Sequence, residues 1–196
     1  MTGVWKYRGK STGGKVPLRL ISLILLCSLI YPARASYIAP KQIWTNKWDN
    51  CFAAAGARYQ IEPLLLKAIS AGESSLKPGA ININKDRKTG KASSTDYGLM
   101  QINSTHIPKL IKMGVIKKSE DLITKPCLNI HIGSWILARH FQICGVSWNC
   151  LGSYNAGFRK DRHETREQYA NKVWRIYRDM KGICLPGQGG RQCRQS

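Results

Sequence analysis

The sequence predicts a mainly helical domain interrupted by one loop-rich lobe, on three observations. Apolar residues recur at helical spacing in Leu65, Ala68, Ile69 and Gly72, and again in Ile130, Gly133, Ile136, Leu137 and Phe141. Between these stripes lies a polar, glycine-containing stretch, Ile81 to Asp96, rich in Asn, Lys, Ser and Thr. Loops of that length inside a compact domain are usually functional, so this one is expected to be a long working loop or a small hairpin. Beyond residue 35 the cysteines are Cys51, Cys127, Cys144, Cys150, Cys184 and Cys193. An even number behind a signal peptide predicts disulfides formed in an oxidising compartment.

Each element follows from local chemistry. Trp48 to Tyr59 predicts a first helix, with Ala53, Ala54 and Ala55 supplying high propensity. Pro63 stands where proline is tolerated, at the first position of a second helix that runs to Glu73 and is stopped by Lys77-Pro78-Gly79. Tyr97 to Asn103 alternates polar and apolar residues and is expected to be extended, with Ser104 capping the next helix. Ile107 to Met113 predicts a short helix ended by Gly114, and Pro126 to Phe141 a buried central helix. Ser147-Trp148-Asn149 opens another helix, and the last carries Tyr169, Val173, Ile176, Tyr177 and Met180 along one face. Trp135 and Trp148 are expected in the core. Residues 185–196, rich in Gly, Gln and Arg, predict a flexible tail tied down at Cys193.

The first 35 residues stand apart. Lys6, Arg8, Lys10, Lys15 and Arg19 precede an eleven-residue apolar run, Leu20 to Ile30, and Ala33-Arg34-Ala35 is a small-x-small cleavage site. This is the pattern of a secretory signal peptide, leaving a domain over residues 36–184. The run is short for a bilayer span, so a retained anchor is the weaker reading and no stable span is expected after cleavage. Of the formal charge of +20, the leader holds six basic residues and no acid, which leaves +14 on the remainder. Such a surface favours polyanions, and export points to anionic wall or lipid rather than to specific nucleic acid. Six cysteines allow fifteen pairings; loop closure favours Cys144–Cys150 and Cys184–Cys193, with Cys51–Cys127 left over. No Cys-x-x-Cys occurs and His106, His131, His140 and His163 lack ligand spacing, so neither metal nor cofactor is expected.

Glu73 is the residue that carries chemistry. It falls at the last turn of its helix, where the dipole disfavours an anion. That dipole and apolar neighbours would raise its pKa, which is what a general acid needs near neutral pH.

Three motifs then line up in order: Glu73-Ser74, Gly98-Leu99-Met100-Gln101, and Tyr154-Asn155-Ala156-Gly157. Together they resemble the signature of the soluble-type lytic transglycosylases over roughly Cys51 to Lys181, nearest to small secreted members that serve type III and type IV secretion, conjugation and pilus systems. The resemblance implies an α+β, lysozyme-like fold with the cleft in the loop-rich lobe. It also implies cleavage of the MurNAc–GlcNAc bond of peptidoglycan glycan strands in the periplasm, with 1,6-anhydro ends, and components of such an apparatus as partners. Glu73 would be the catalytic acid and base.

Ser74, Asp96, Met100, Gln101, Asn103, Tyr154, Asn155 and Tyr169 would contact substrate. Neutral amides suit N-acetyl and hydroxyl groups, tyrosines suit a sugar cleft, and Met100 suits a flexible apolar wall. Ser74 has a structural role as an equal alternative, and Tyr169 lies on an apolar face. Asn82 replaces a serine expected in the cleft. The segment Ser94 to Ser104 also resembles animal-type lysozymes, and Asp96 follows Glu73 by 23 residues. Within about 5–5.5 Å of Glu73 it would permit retaining hydrolysis. A non-catalytic wall-binding subunit is the alternative from another class.

Overall fold

The computed structural model describes residues 44–182, residue 87 apart. The expected leader, the tail and the Cys184–Cys193 pairing lie outside the described residues. Among these residues seven helices and a three-stranded sheet follow in chain order: α1 Asp49–Tyr59, α2 Pro63–Ser74, β1 Ile81–Lys85, β2 Ala92–Tyr97, β3 Ile102–Asn103, α3 Ile107–Lys112, α4 Asp121–Thr124, α5 Pro126–Cys144, α6 Trp148–Ala156 and α7 His163–Lys181. Short 3-10 turns precede α3 and α7. No described helix is long and apolar enough to cross a membrane.

Helix ends obey the local rules. Pro63 and Pro126 occupy first-turn positions of α2 and α5, where a missing N–H costs nothing. Ser147 caps α6 by accepting from the Cys150 N–H. The helices form one layer in which α5 packs on α1 and α6, and α7 on α2 and α6. Its core holds Phe52, Leu66, Ile69, Ile130, Leu137, Leu151 and Val173, all at most 1% exposed. Gly152 lets α6 and α7 touch, since a Cβ there would lie 2.2 Å from the Arg166 carbonyl oxygen. Two disulfides bind the layer. Cys51–Cys127 joins α1 to α5, and Cys144–Cys150 joins the end of α5 to α6.

The polar stretch is a hairpin. β1 pairs antiparallel with β2, matching Asn82 to Asp96 and Asn84 to Ser94, and β2 pairs with β3, matching Asp96 to Asn103. Its tip is built by Asp86, whose Oδ1 accepts from the N–H groups of Lys88 and Thr89 and from the Thr89 hydroxyl. Alternation along the strands puts Asn82, Asn84, Ser94, Asp96 and Asn103 on one face. The opposite face shows Ile81 and Ile83, 49% and 61% exposed.

Two expectations need correction. Tyr97 to Asn103 is not one extended run. Gly98 at φ +76 and Gln101 at φ +46 bend it into a tight turn, so that only its ends, Tyr97 in β2 and Ile102–Asn103 in β3, are paired. The cap of the following turn is Asn103 rather than Ser104, because Asn103 Oδ1 accepts from the Thr105 N–H while Ser104 Oγ accepts from the Thr95 N–H.

Candidate active site

The site grows from the contact between the end of α2 and the 98–101 turn. At Leu99 the backbone carbonyl accepts from two hydroxyls of α2, Ser70 Oγ at 3.0 Å and Ser74 Oγ at 2.9 Å. The Met100 N–H donates to Asn129 Oδ1 at 2.7 Å, and the Met100 carbonyl accepts from the Tyr154 hydroxyl at 2.8 Å. Asn129, fully buried on α5, also donates to the carbonyls of Tyr97 and Leu122. The Leu99 carbonyl and both backbone groups of Met100 are thus matched by side chains from α2, α5 and α6. Gly98 is required there: a Cβ would lie 2.4 Å from both Asn129 Nδ2 and the Leu122 carbonyl oxygen. Gly133 is equally constrained, with Met100 and the Tyr154 hydroxyl where its Cβ would stand.

Glu73 lies half-buried on the last turn of α2, and the Tyr169 hydroxyl of α7 donates to its Oε1 at 2.5 Å. Burial is the largest influence on this carboxyl and pushes its pKa up. The Tyr169 hydrogen bond and the Lys172 charge pull it back, the Asp96 charge adds a small push upward, and the net shift is upward. Burial likewise holds the Tyr169 and Tyr154 phenols well above their ordinary range, so both remain donors. Lys172 Nζ is anchored on the Gly72 carbonyl, a role that no sequence signal separated from an ordinary surface lysine.

Beside this acid stands the polar face of the hairpin. Asp96 accepts from Asn103 Nδ2 and from Asn84 Nδ2, each at 2.7 Å. Ser94 Oγ accepts from the same two amides. Gln101 donates to the carbonyls of Gly98 and Ala80, and its Oε1 accepts from Asn82 Nδ2 at 2.6 Å.

The structure therefore brings Glu73, Tyr169, Ser74, Gln101 and Tyr154 into one assembly around the turn, next to Asp96 and Asn103. Ser74 holds the turn. Gln101 spends both amide hydrogens within the protein, which makes it a brace. Met100 is not a cleft wall, because its side chain is fully buried against Gly133. Asn155 is exposed at the end of α6. Trp148 meets Trp174 and Tyr177 edge-on, whereas Trp135 is no core residue and walls a surface cavity on α5. Asn129 went unread in the sequence. Its one signal was a lone amide on an otherwise apolar helical stripe.

The family described as Transglycosylase SLT domain matches residues 50–177. A peptidoglycan-binding-like protein of Escherichia coli O157:H7 is 53% identical over 127 residues, covering 65% of this chain and 75% of that one. The invasion protein IagB of Salmonella typhimurium strain SL1344 is 43% identical over 136 residues, 69% of this chain and 80% of that one. The X polypeptide of Escherichia coli K12 is 44% identical over 142 residues, with coverage of 70% and 79%. In fold, the chain matches an inactive mutant of the lytic transglycosylase Slt from Pseudomonas aeruginosa with a TM-score of 0.52 at 16% identity. The match covers 73% of this chain and 26% of that much longer one. The fold is that of a lysozyme-like domain. The chain belongs to the transglycosylase SLT family, and its class is that of the peptidoglycan lytic transglycosylases.

Proposed function

We propose that this chain is a secreted periplasmic enzyme that cleaves the MurNAc–GlcNAc bond of glycan strands and leaves 1,6-anhydro ends. The Glu73 carboxyl carries the reading: a half-buried acid whose pKa burial raises, with one oxygen engaged by Tyr169. The Tyr169 hydroxyl donates to Oε1, so Oε2 is the oxygen assigned to proton transfer in this reading. In the first step Glu73 gives its proton to the bridging oxygen as the C1–oxygen bond breaks. The substrate's N-acetyl oxygen holds the developing positive charge at C1, so no second protein carboxylate is needed, an exception to the usual two-carboxylate scheme. In the second step the Glu73 carboxylate takes the proton of the sugar's 6-hydroxyl, whose oxygen bonds to C1. Glu73 ends protonated and no water is consumed.

Asp96 supports the same reading, since both its oxygens are committed to Asn84 and Asn103. Asn82, Asn103, Asn155 and the hairpin face would grip acetamido and hydroxyl groups of the strand. Opening of the wall for an envelope-spanning secretion or conjugation apparatus is the proposed purpose, supported by the likeness to a protein named for invasion. Mass spectrometry of muropeptides released from purified peptidoglycan, by the wild type and by Glu73→Gln, tests it. Glu73-dependent 1,6-anhydro products are expected. Products heavier by one water would transfer catalysis to a Glu73–Asp96 pair, and wall binding without products from either protein would leave a binding subunit.

A further inference from the structure

On the solvent face of α5 lies a cavity of about 430 Å³, lined by Tyr59, Leu110, Met113, Leu128, His131 and Trp135 among others. At about 100° per residue, Leu128, His131, Ile132 and Trp135 fall within roughly 100° of arc on the helix. Gly133, which faces Met100 and Tyr154, points the other way together with Ile130 and Leu137. The groove and the catalytic turn therefore occupy opposite faces of the same helix. Its neighbours Met113 and Ile111 are 52% and 45% exposed.

Its rim has one sign of charge. Lys109 and Arg139 flank Trp135 at its edge, and no lining residue is acidic. Arg58 of α1 adds a further cation to the lining. Two of these charges are held in place, with Lys109 Nζ 5.3 Å and Arg139 Cζ 5.4 Å from the Trp135 ring centre. Burial and the Arg58 charge depress the His131 pKa, so the floor of the groove stays neutral at neutral pH.

We infer that this groove docks a segment of another protein, an amphipathic helix with two apolar anchors, at i and i+3 or i+4, flanked by carboxylates. Charge complementarity selects this occupant. A second copy of the chain would bring a like charge to the rim. A sugar would find few amides or hydroxyls in the lining, and a bilayer or duplex is too broad for a cavity that takes one or two side chains. A lytic enzyme so docked would be held at its partner with the Glu73 face left free.

The probe is a synthetic helical peptide of about four turns, with Leu at the anchor positions and Glu elsewhere. Controls are the same peptide with anchors changed to Ser, and with Glu changed to Lys. The acidic anchored peptide is expected to bind in the micromolar range and to shift the Trp135 indole and Met113 methyl resonances. Both controls should bind at least about tenfold more weakly. Trp135→Ala should abolish binding. The paired change Lys109→Glu with Arg139→Glu, on exposed positions that spare the fold, should cost at least about tenfold while wall cleavage stays at the wild-type rate.

Equal binding of the Ser-anchored peptide, resonance shifts confined to the Glu73 cleft, or no loss in the charge-reversed variant would overturn the inference. So would Trp135-dependent self-association, or binding to phosphatidylglycerol vesicles or duplex DNA through the same residues. Because cleavage is read separately, failure of docking and failure of the catalytic proposal give different results.

Discussion

The two walls beside Glu73 are built on opposite plans. On one side the 98–101 turn is mostly buried, and Ser70, Ser74, Asn129 and Tyr154 hold the backbone of Leu99 and Met100. On the other the hairpin is exposed and held by side-chain amides around Asp96. A group that must deliver a proton to one place needs a seat that cannot shift, whereas a surface that follows a sugar strand needs polar groups still open to water. The difference predicts where damage is severe and where it is graded.

Glu73→Gln should have the largest effect, an activity loss of about a thousandfold, within the usual range for a removed general acid. It should also stabilise the fold. A carboxyl whose folded pKa is raised contributes fully below its ordinary pKa, near 4.5, and loses that contribution as pH rises through the folded value. Gln never ionises and keeps it. Thermal melts should find the variant more stable than the wild type at pH 8 and close to it at pH 4. A lower melting temperature at pH 8 would mean that burial does not dominate the Glu73 environment.

Asn129→Ala tests the rigid wall. It strips partners from the Met100 N–H and the Tyr97 and Leu122 carbonyls, and should cost roughly 3 kcal/mol in denaturant unfolding. A loss of a few tenths would show that the turn stands without it.

Tyr169→Phe removes the hydrogen bond that lowers the Glu73 pKa. A ten- to hundredfold fall in activity is expected, about the worth of one hydrogen bond to a charged group. The alkaline limb of the pH–rate profile should move to higher pH, because loss of that bond disfavours the carboxylate. Asp96→Asn probes the graded wall and should act in the opposite sense. Removing a nearby negative charge lets Glu73 ionise more readily, so the limb moves to lower pH, with activity down about two- to tenfold and the same anhydro products. Abolished activity would place Asp96 among the catalytic groups.

Much of this architecture was legible because it is written in local chemistry. Pro63, Pro126, Ser147 and Gly114 mark helix boundaries that the structure keeps. Glu73 could be singled out because an acid at a helix C-terminus opposes the dipole. What stayed hidden depends on direction in space. A motif places Met100 beside the site in sequence, but whether its side chain or only its backbone faces the cleft depends on the φ values of Gly98 and Gln101. Trp135 lies on a helical stripe, and periodicity does not say which stripe meets water. Asn129 looks like an interruption of an apolar helix until the carbonyls of Tyr97 and Leu122, from other parts of the chain, are brought to it.

The Cys51–Cys127 bond closes a loop with a sequence separation of 76, and that loop contains Glu73, the whole sheet and the clamped turn. On a chain-entropy basis such a closure is worth about 4.5 kcal/mol, a large part of the roughly 5–15 kcal/mol that holds a typical domain. Synthesis in a reducing compartment would therefore yield a chain with its acid on an untied loop and its seat unassembled. Under the proposed export, oxidation outside the cytoplasm would act as a timer, fitting the blade only once the enzyme stands beside the wall.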